Sequence, residues 1–164
     1  MNLTSGENTI REFVLQMGDI KVSAGSGIFT CFGLGSCVGL FLHDRVHKIG
    51  GGAHIMFPDY HARTVIQAKS YYAEPAIEEV LKQMKEAGAD LEKLRAKLVG
   101  GAQVMDAKLL DMGFQNTHAI RNALTRYKIY IAAADLGGYT SRTARFKIAD
   151  GSLSVTSQTN TYII

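Results

Sequence analysis

What this chain lacks narrows its class first. It has only two cysteines, Cys31 and Cys37, and no positive flank ahead of an apolar stretch at its N-terminus. A secreted disulfide framework is therefore not expected, and free thiols in a reducing cytoplasm are. The uncharged stretch Gly27 to Leu42 is broken by glycines, which suits a buried strand–turn–strand better than a membrane helix, so no membrane insertion is expected. Lys and Arg are scattered without long runs, and the formal net charge is only +3. The electrostatic footprint of a nucleic-acid binder is missing. With 46% hydrophobic and 20% charged residues over 164 positions, the composition is that of an ordinary globular domain with a substantial core.

Pattern along the chain predicts more strands than helices. Residues 1–10 read as a flexible tail, 11–157 as a single domain and 158–164 as a second tail. Phe13, Leu15 and Met17 alternate as on a half-buried strand, ahead of a turn at Gly18-Asp19 and a loop from Ser23 to Gly27. Ile28–Phe32 and Cys37–Leu42 read as strands flanking a glycine turn, with Ile49–Met56 as the next strand after a turn at His43-Asp44-Arg45. Ile77, Val80, Leu81 and Met84 keep helical spacing, with Pro75 in or near the first turn and Gly88 at the end. Lys97–Val99 and Ile129–Ala134 read as strands, Thr117–Arg126 as a second helix, and Asp135–Gly138 as a turn. Ala144–Ile148 and Leu153–Thr156 form a hairpin across Asp150-Gly151. The expected fold class is mixed α/β with largely antiparallel strands.

One constellation carries chemistry. Gly33-Leu34-Gly35-Ser36-Cys37 puts a thiol at the end of a glycine turn, where close approach to a substrate is possible. Backbone N–H groups there, with Ser36 as the candidate, can hold a developing oxyanion. His54 lies seventeen residues further on and can convert the thiol to a thiolate, the minimum apparatus for attack on an amide or acyl carbon. Among the histidines, His43 and His47 flank a charged turn and are expected exposed, His61 falls in a loop and His118 at a helix start. Only His54 sits inside an apolar strand. Taken alone, that pattern fits a satisfied core histidine better than a catalytic one. Cys31, Cys37 and His54 match no common zinc spacing, so no metal is expected. Gly33-x-Gly35 lacks the third glycine of a dinucleotide fingerprint, Val38 standing in its place, so no cofactor is expected either.

These residues in this order resemble the CheD family. The resemblance rests on Gly33–Val38, Gly50–Pro58, Tyr72–Glu78, Lys97–Ala102 and Ala133–Gly138 with Arg142, in register from about Phe13 to Thr156. It implies a CheD-like α/β sandwich with two main helices packed on the sheets. It also implies a cytoplasmic, cysteine-dependent amidohydrolase that deamidates glutamine side chains of methyl-accepting chemoreceptors. Cys37 aligns with the family nucleophile and His54 with its histidine. The family usually has a threonine six residues before the nucleophile, thought to orient the histidine. Here Cys31 stands at that position and Thr30, one residue off, is expected to point to the opposite strand face. A thiol is a weak hydrogen-bonding group, so the expectation is a His54 held less firmly or by another partner. The resemblance also implies contacts with the phosphatase CheC, in feedback with the response regulator CheY, and an adaptor acting only through such contacts is the competing function. Retention of both Cys37 and His54 favours the enzyme, and the multi-block match disfavours a generic cysteine peptidase or acyltransferase.

Overall fold

Runs of β-branched and aromatic residues broken by glycine turns give a chain dominated by strands. The structure is a computed structural model that describes residues 9–60, 67–104 and 111–164. In chain order these form β1 (Glu12–Val14), β2 (Ile20–Ala24), β3 (Ile28–Leu34), β4 (Val38–Asp44), β5 (Ile49–Ile55), α1 (Ala73–Glu86), β6 (Arg95–Gly100), α2 (Met112–Arg126), β7 (Tyr130–Leu136), β8 (Arg142–Lys147), β9 (Leu153–Ser157) and β10 (Asn160–Ile163). One sheet has the order β1-β3-β8-β9-β10 and the other β2-β5-β4-β6-β7. Only the β1–β3 and β6–β7 pairs run parallel. The mixed, largely antiparallel α/β sandwich expected from the sequence is the fold that forms.

β4 and β5 are buried along their whole length, so both faces of the second sheet must be covered. Side-chain alternation divides the two duties. Val38, Leu40 and Leu42 of β4 pack with Ile77, Val80 and Met84 of α1 and with Ile120 and Leu124 of α2. Phe41, on the other face, joins Phe29 and Phe146 of the first sheet, its ring stacked 5.4 Å from that of Phe146. The layers therefore run helices, second sheet, first sheet. Each large side chain buried in either core contributes roughly 1.5–3 kcal/mol. Cys31 and Cys37 belong to the core between the sheets.

The helix α1 follows its sequence signals closely. Pro75 sits in its first turn, Ala87 is its C-cap, and Gly88 follows with φ +97°. Elsewhere, pairing across the chain overrides local pattern. The strand expected through Met17 stops at Val14, leaving Met17 exposed, and a further strand, β2, forms from Ile20 by pairing along β5. α2 begins at Met112, well over a turn before the expected start at Thr117, because the Asp111 side chain caps it by accepting from the Phe114 N–H at 2.9 Å. The segment read as a C-terminal tail instead contributes β10, antiparallel to β9. His43 is buried rather than exposed: its Nε2 bonds the Ile148 carbonyl at 2.7 Å and its ring meets Phe146 edge-on. His61 and the first eight residues of the expected N-terminal tail lie outside the described residues. Among the described residues no helix is long and apolar enough to cross a membrane.

Candidate active site

The chain crosses from the first sheet to the second through Gly35, Ser36 and Cys37, the link between β3 and β4. Before the crossing the β3–β8 register shifts between Cys31 and Leu34, with Gly33 at φ +59°. The crossing is held from outside by the end of β6. The Gly101 N–H donates to the Cys37 carbonyl at 2.9 Å and the Ala102 N–H to the Gly35 carbonyl at 2.8 Å. Gly100 has φ +120°, and a Cβ built on it would lie 2.2 Å from the Cys37 carbonyl oxygen. No other residue fits there. The end of the Lys97–Ala102 segment thus serves as a clamp on the Gly35–Cys37 link.

His54 lies opposite Gly39 on β4. Cys37 is two residues before Gly39 and so on the same face, diagonal to His54, a relation that spaces Cα atoms by about 7–8 Å. His54 is 4% exposed. Its Nδ1 bonds the Leu15 backbone carbonyl at 2.9 Å. A carbonyl only accepts, so Nδ1 is the donor and Nε2 keeps the lone pair of the neutral ring. Nε2 is buried without a hydrogen-bond partner among the described residues. In this resting arrangement a base-ready nitrogen and a thiol share one face without a bond between them, a looseness common before substrate binds.

Burial sets the electrostatics. It pushes the Cys37 thiol above its ordinary value, while the dipole of the residue's own backbone N–H partly offsets the shift. Burial also lowers His54, opposed by the Leu15 bond and the Asp19 charge. The resting pair is therefore neutral thiol and neutral imidazole. Cys31 is fully buried, and burial first, then the Cys37 and Asp19 charges, push it up to about 12. It stays a thiol and does not compete as a nucleophile. Thr30 faces away from the sandwich interior, its hydroxyl donating to Glu12 Oε1 at 2.6 Å. The orienting partner of His54 is thus a main-chain carbonyl, and neither Thr30 nor Cys31 takes that part.

Two contributors escaped the sequence reading. Leu15 acts through its backbone, for which side-chain pattern holds no signal. Asn116, on α2, is fully buried, and its Nδ2 donates to the Ser36 carbonyl at 2.8 Å and the Met56 carbonyl at 3.0 Å. Its spacing from Ile120 and Ala123 marks the inward face of the helix, a signal masked by the expected start at Thr117. Ser36 itself is half-buried, its carbonyl taken by Asn116. A cleft of about 340 Å³ opens beside Gly101, lined also by Gln103, Phe114, Thr117, Gly137 and Tyr139. Through Gly101 it adjoins the Gly35–Cys37 link, and its lining contains neither Cys37 nor His54. Among the described residues no group of three or more His, Cys, Asp or Glu side chains could hold a metal ion.

Comparison with known proteins adds independent findings. A family model described as CheD chemotactic sensory transduction matches residues 56–157, a span that starts two residues after His54. The chemoreceptor glutamine deamidase CheD of Thermotoga maritima is 34% identical over 142 residues, 87% of this chain and 89% of that protein. The probable chemoreceptor glutamine deamidase CheD of Archaeoglobus fulgidus is 39% identical over 147 residues, covering 88% of this chain and 92% of that one. Its counterpart in Desulforamulus reducens is 36% identical over 159 residues, 94% of each chain.

Proposed function

Because the chain belongs to the CheD family, we propose that it is a chemoreceptor glutamine deamidase in which Cys37 is the nucleophile and His54 its base. The reaction begins as His54 Nε2 takes the Cys37 proton and the thiolate attacks the carboxamide carbon of a receptor glutamine. The imidazolium then returns its proton to the departing nitrogen, the C–N bond breaks, and ammonia leaves a thioester on Cys37. Water, deprotonated by His54, attacks the thioester. The C–S bond breaks, the thiol is restored, and the receptor carries glutamate. The backbone N–H groups around Ser36 and Cys37 are the donors nearest to hand for the transient oxyanion. A neutral amide becomes a carboxylate, changing the electrostatics of the receptor helices and creating a site for later methylation.

The observation that carries this reading is the tautomer of His54. The Leu15 carbonyl holds the Nδ1 proton, leaving Nε2 as free base on the face shared with Cys37. A histidine placed only to fill a core would have both nitrogens satisfied. The reading takes the reaction to be cytoplasmic, where thiols stay reduced. It also takes CheC, where present, as a partner, a point that rests on the family resemblance alone.

Mass spectrometry of a receptor cytoplasmic fragment tests the assignment. Incubation with the protein should add about one mass unit, amide to acid, at specific glutamines. Cys37→Ala and His54→Ala should each abolish the gain while the fold persists. Deamidation by Cys37→Ala at the wild-type rate would refute the nucleophile. Loss of deamidation with CheC binding retained would separate catalysis from the adaptor role.

A further inference from the structure

Asn116 is a buried polar side chain that the reaction just described does not use. It bridges the two catalytic segments across 80 and 60 residues of sequence, through Ser36 and Met56 respectively. Both acceptors are carbonyls, so chemistry fixes which end of the amide points at them. Its Oδ1 is buried without a partner among the described residues, a cost of about 1–3 kcal/mol that simple packing gives no reason to keep. The helix carrying it is itself seated on the clamp: a Cβ on Gly113 would lie 2.5 Å from the Gly101 carbonyl oxygen.

The Ser36 carbonyl and the Cys37 N–H belong to one peptide unit. Among the described residues no peptide bond is cis, so the two groups point in opposite directions from one plane. A donor on the carbonyl therefore sets the direction of the Cys37 N–H, whose dipole lowers the thiol's pKa against the effect of burial. It also polarises that N–H, since hydrogen bonds in a chain strengthen one another. The second bond of the same amide holds Met56, two residues beyond His54, against the nucleophile loop.

We propose that Asn116 is a positioning residue, which fixes the Ser36–Cys37 peptide so that the Cys37 N–H supports the thiolate, and ties that peptide to the strand bearing His54. This rests on Cys37 being the nucleophile. A merely structural amide would change the melting temperature and leave the chemistry of the thiol alone. A positioning amide changes the thiol.

The test compares wild type, Asn116→Ala, Asn116→Ser and Cys37→Ala. For the first three, iodoacetamide alkylation of Cys37 is followed against pH, with peptide mapping to separate it from Cys31. For all four, kcat and KM are measured on a receptor cytoplasmic fragment and melting is recorded by circular dichroism. The expected result for Asn116→Ala is an alkylation midpoint higher by roughly half a pH unit or more. Its kcat should fall about 10- to 100-fold with KM within about twofold. Asn116→Ser, whose hydroxyl can serve only one of the two carbonyls, should fall between. A folded variant with the wild-type midpoint and kcat overturns the proposal, as does failure of both variants to fold, which would make Asn116 a structural clamp. Deamidation by Cys37→Ala would bring down the nucleophile assignment as well. An inactive Cys37→Ala beside Asn116 variants of wild-type rate would bring down the positioning role alone.

Discussion

Substitution of Gly100 by alanine should disable the enzyme from a residue that bears no functional group. Two penalties add at this position. A backbone at φ +120° strains any residue with a Cβ by about 1–3 kcal/mol. The new methyl would also lie 2.2 Å from the Cys37 carbonyl oxygen, and relief takes a shift of roughly 1 Å. The yielding partner is the crossing loop, because β6 is anchored along β4 and β7 while the loop bridges two sheets. A displacement of that size at the reacting group costs about 100-fold in rate. The expected Gly100→Ala protein is folded, less stable by about 2–4 kcal/mol, and deamidates a receptor fragment about 100-fold more slowly. Gly88→Ala supplies the control, since Gly88 has φ +97° with nothing within 4 Å of its built Cβ. It should lose stability and keep its rate. A Gly100→Ala protein within about threefold of wild type would refute the idea that β6 sets the position of Cys37.

Burial lowers His54 below its ordinary 6.5, so the free base persists to more acid pH, and kcat/KM should hold until below that value before it falls. Burial raises Cys37 above 9.0, so its alkylation midpoint should lie above that of a free thiol; a pH profile of both quantities checks the pair. Asp44 is fully buried and held at about 2: burial alone would raise it, but the Asp90 and His47 N–H groups and the His47 ring outweigh that. Its folded value lies below the unfolded 3.8, so its contribution of roughly 2 kcal/mol is complete above 3.8 and lost as pH falls through about 2. Asp44→Asn should lower the melting temperature at neutral pH and flatten its fall in acid. Cys31→Thr, which restores the usual family residue, should change kcat less than about threefold, because the Leu15 carbonyl already orients His54; a tenfold gain would show that bond to be inadequate.

Local signals singled out the candidate pair, and the family resemblance gave it its expected roles. A glycine turn ends in Cys37, and His54 is a polar residue inside an apolar strand. The helix α1 was legible for the same reason, its spacing and its punctuation by Pro75 and Gly88 lying within one short segment. What stayed hidden depends on partners remote in sequence. Lys21 and Ser23 dilute the strand pattern of β2, which forms because β5 offers it a ladder. Asn160 and Thr161 read as a tail until β9 pairs with them. His43 sits beside a charged turn, and its burial comes from the Ile148 carbonyl, 105 residues away, and the Phe146 ring. The Leu15 carbonyl and the Asn116 amide are invisible for the same reason, since their value lies in contacts that no window along the chain contains.

The link Gly35–Cys37 is the short strap by which one sheet becomes the other, and this makes the two cores unequal in what they can disturb. Ile77 and Val80 lie between α1 and the second sheet, where a change in side-chain volume should be felt first as folding. Phe29, Phe41 and Phe146 set the gap that the strap must bridge. A methylene gained or lost among them alters the tension on Cys37 as well as the stability of the chain. Repacking between the sheets should therefore change the reaction rate together with the stability, whereas repacking beneath α1 should change stability first.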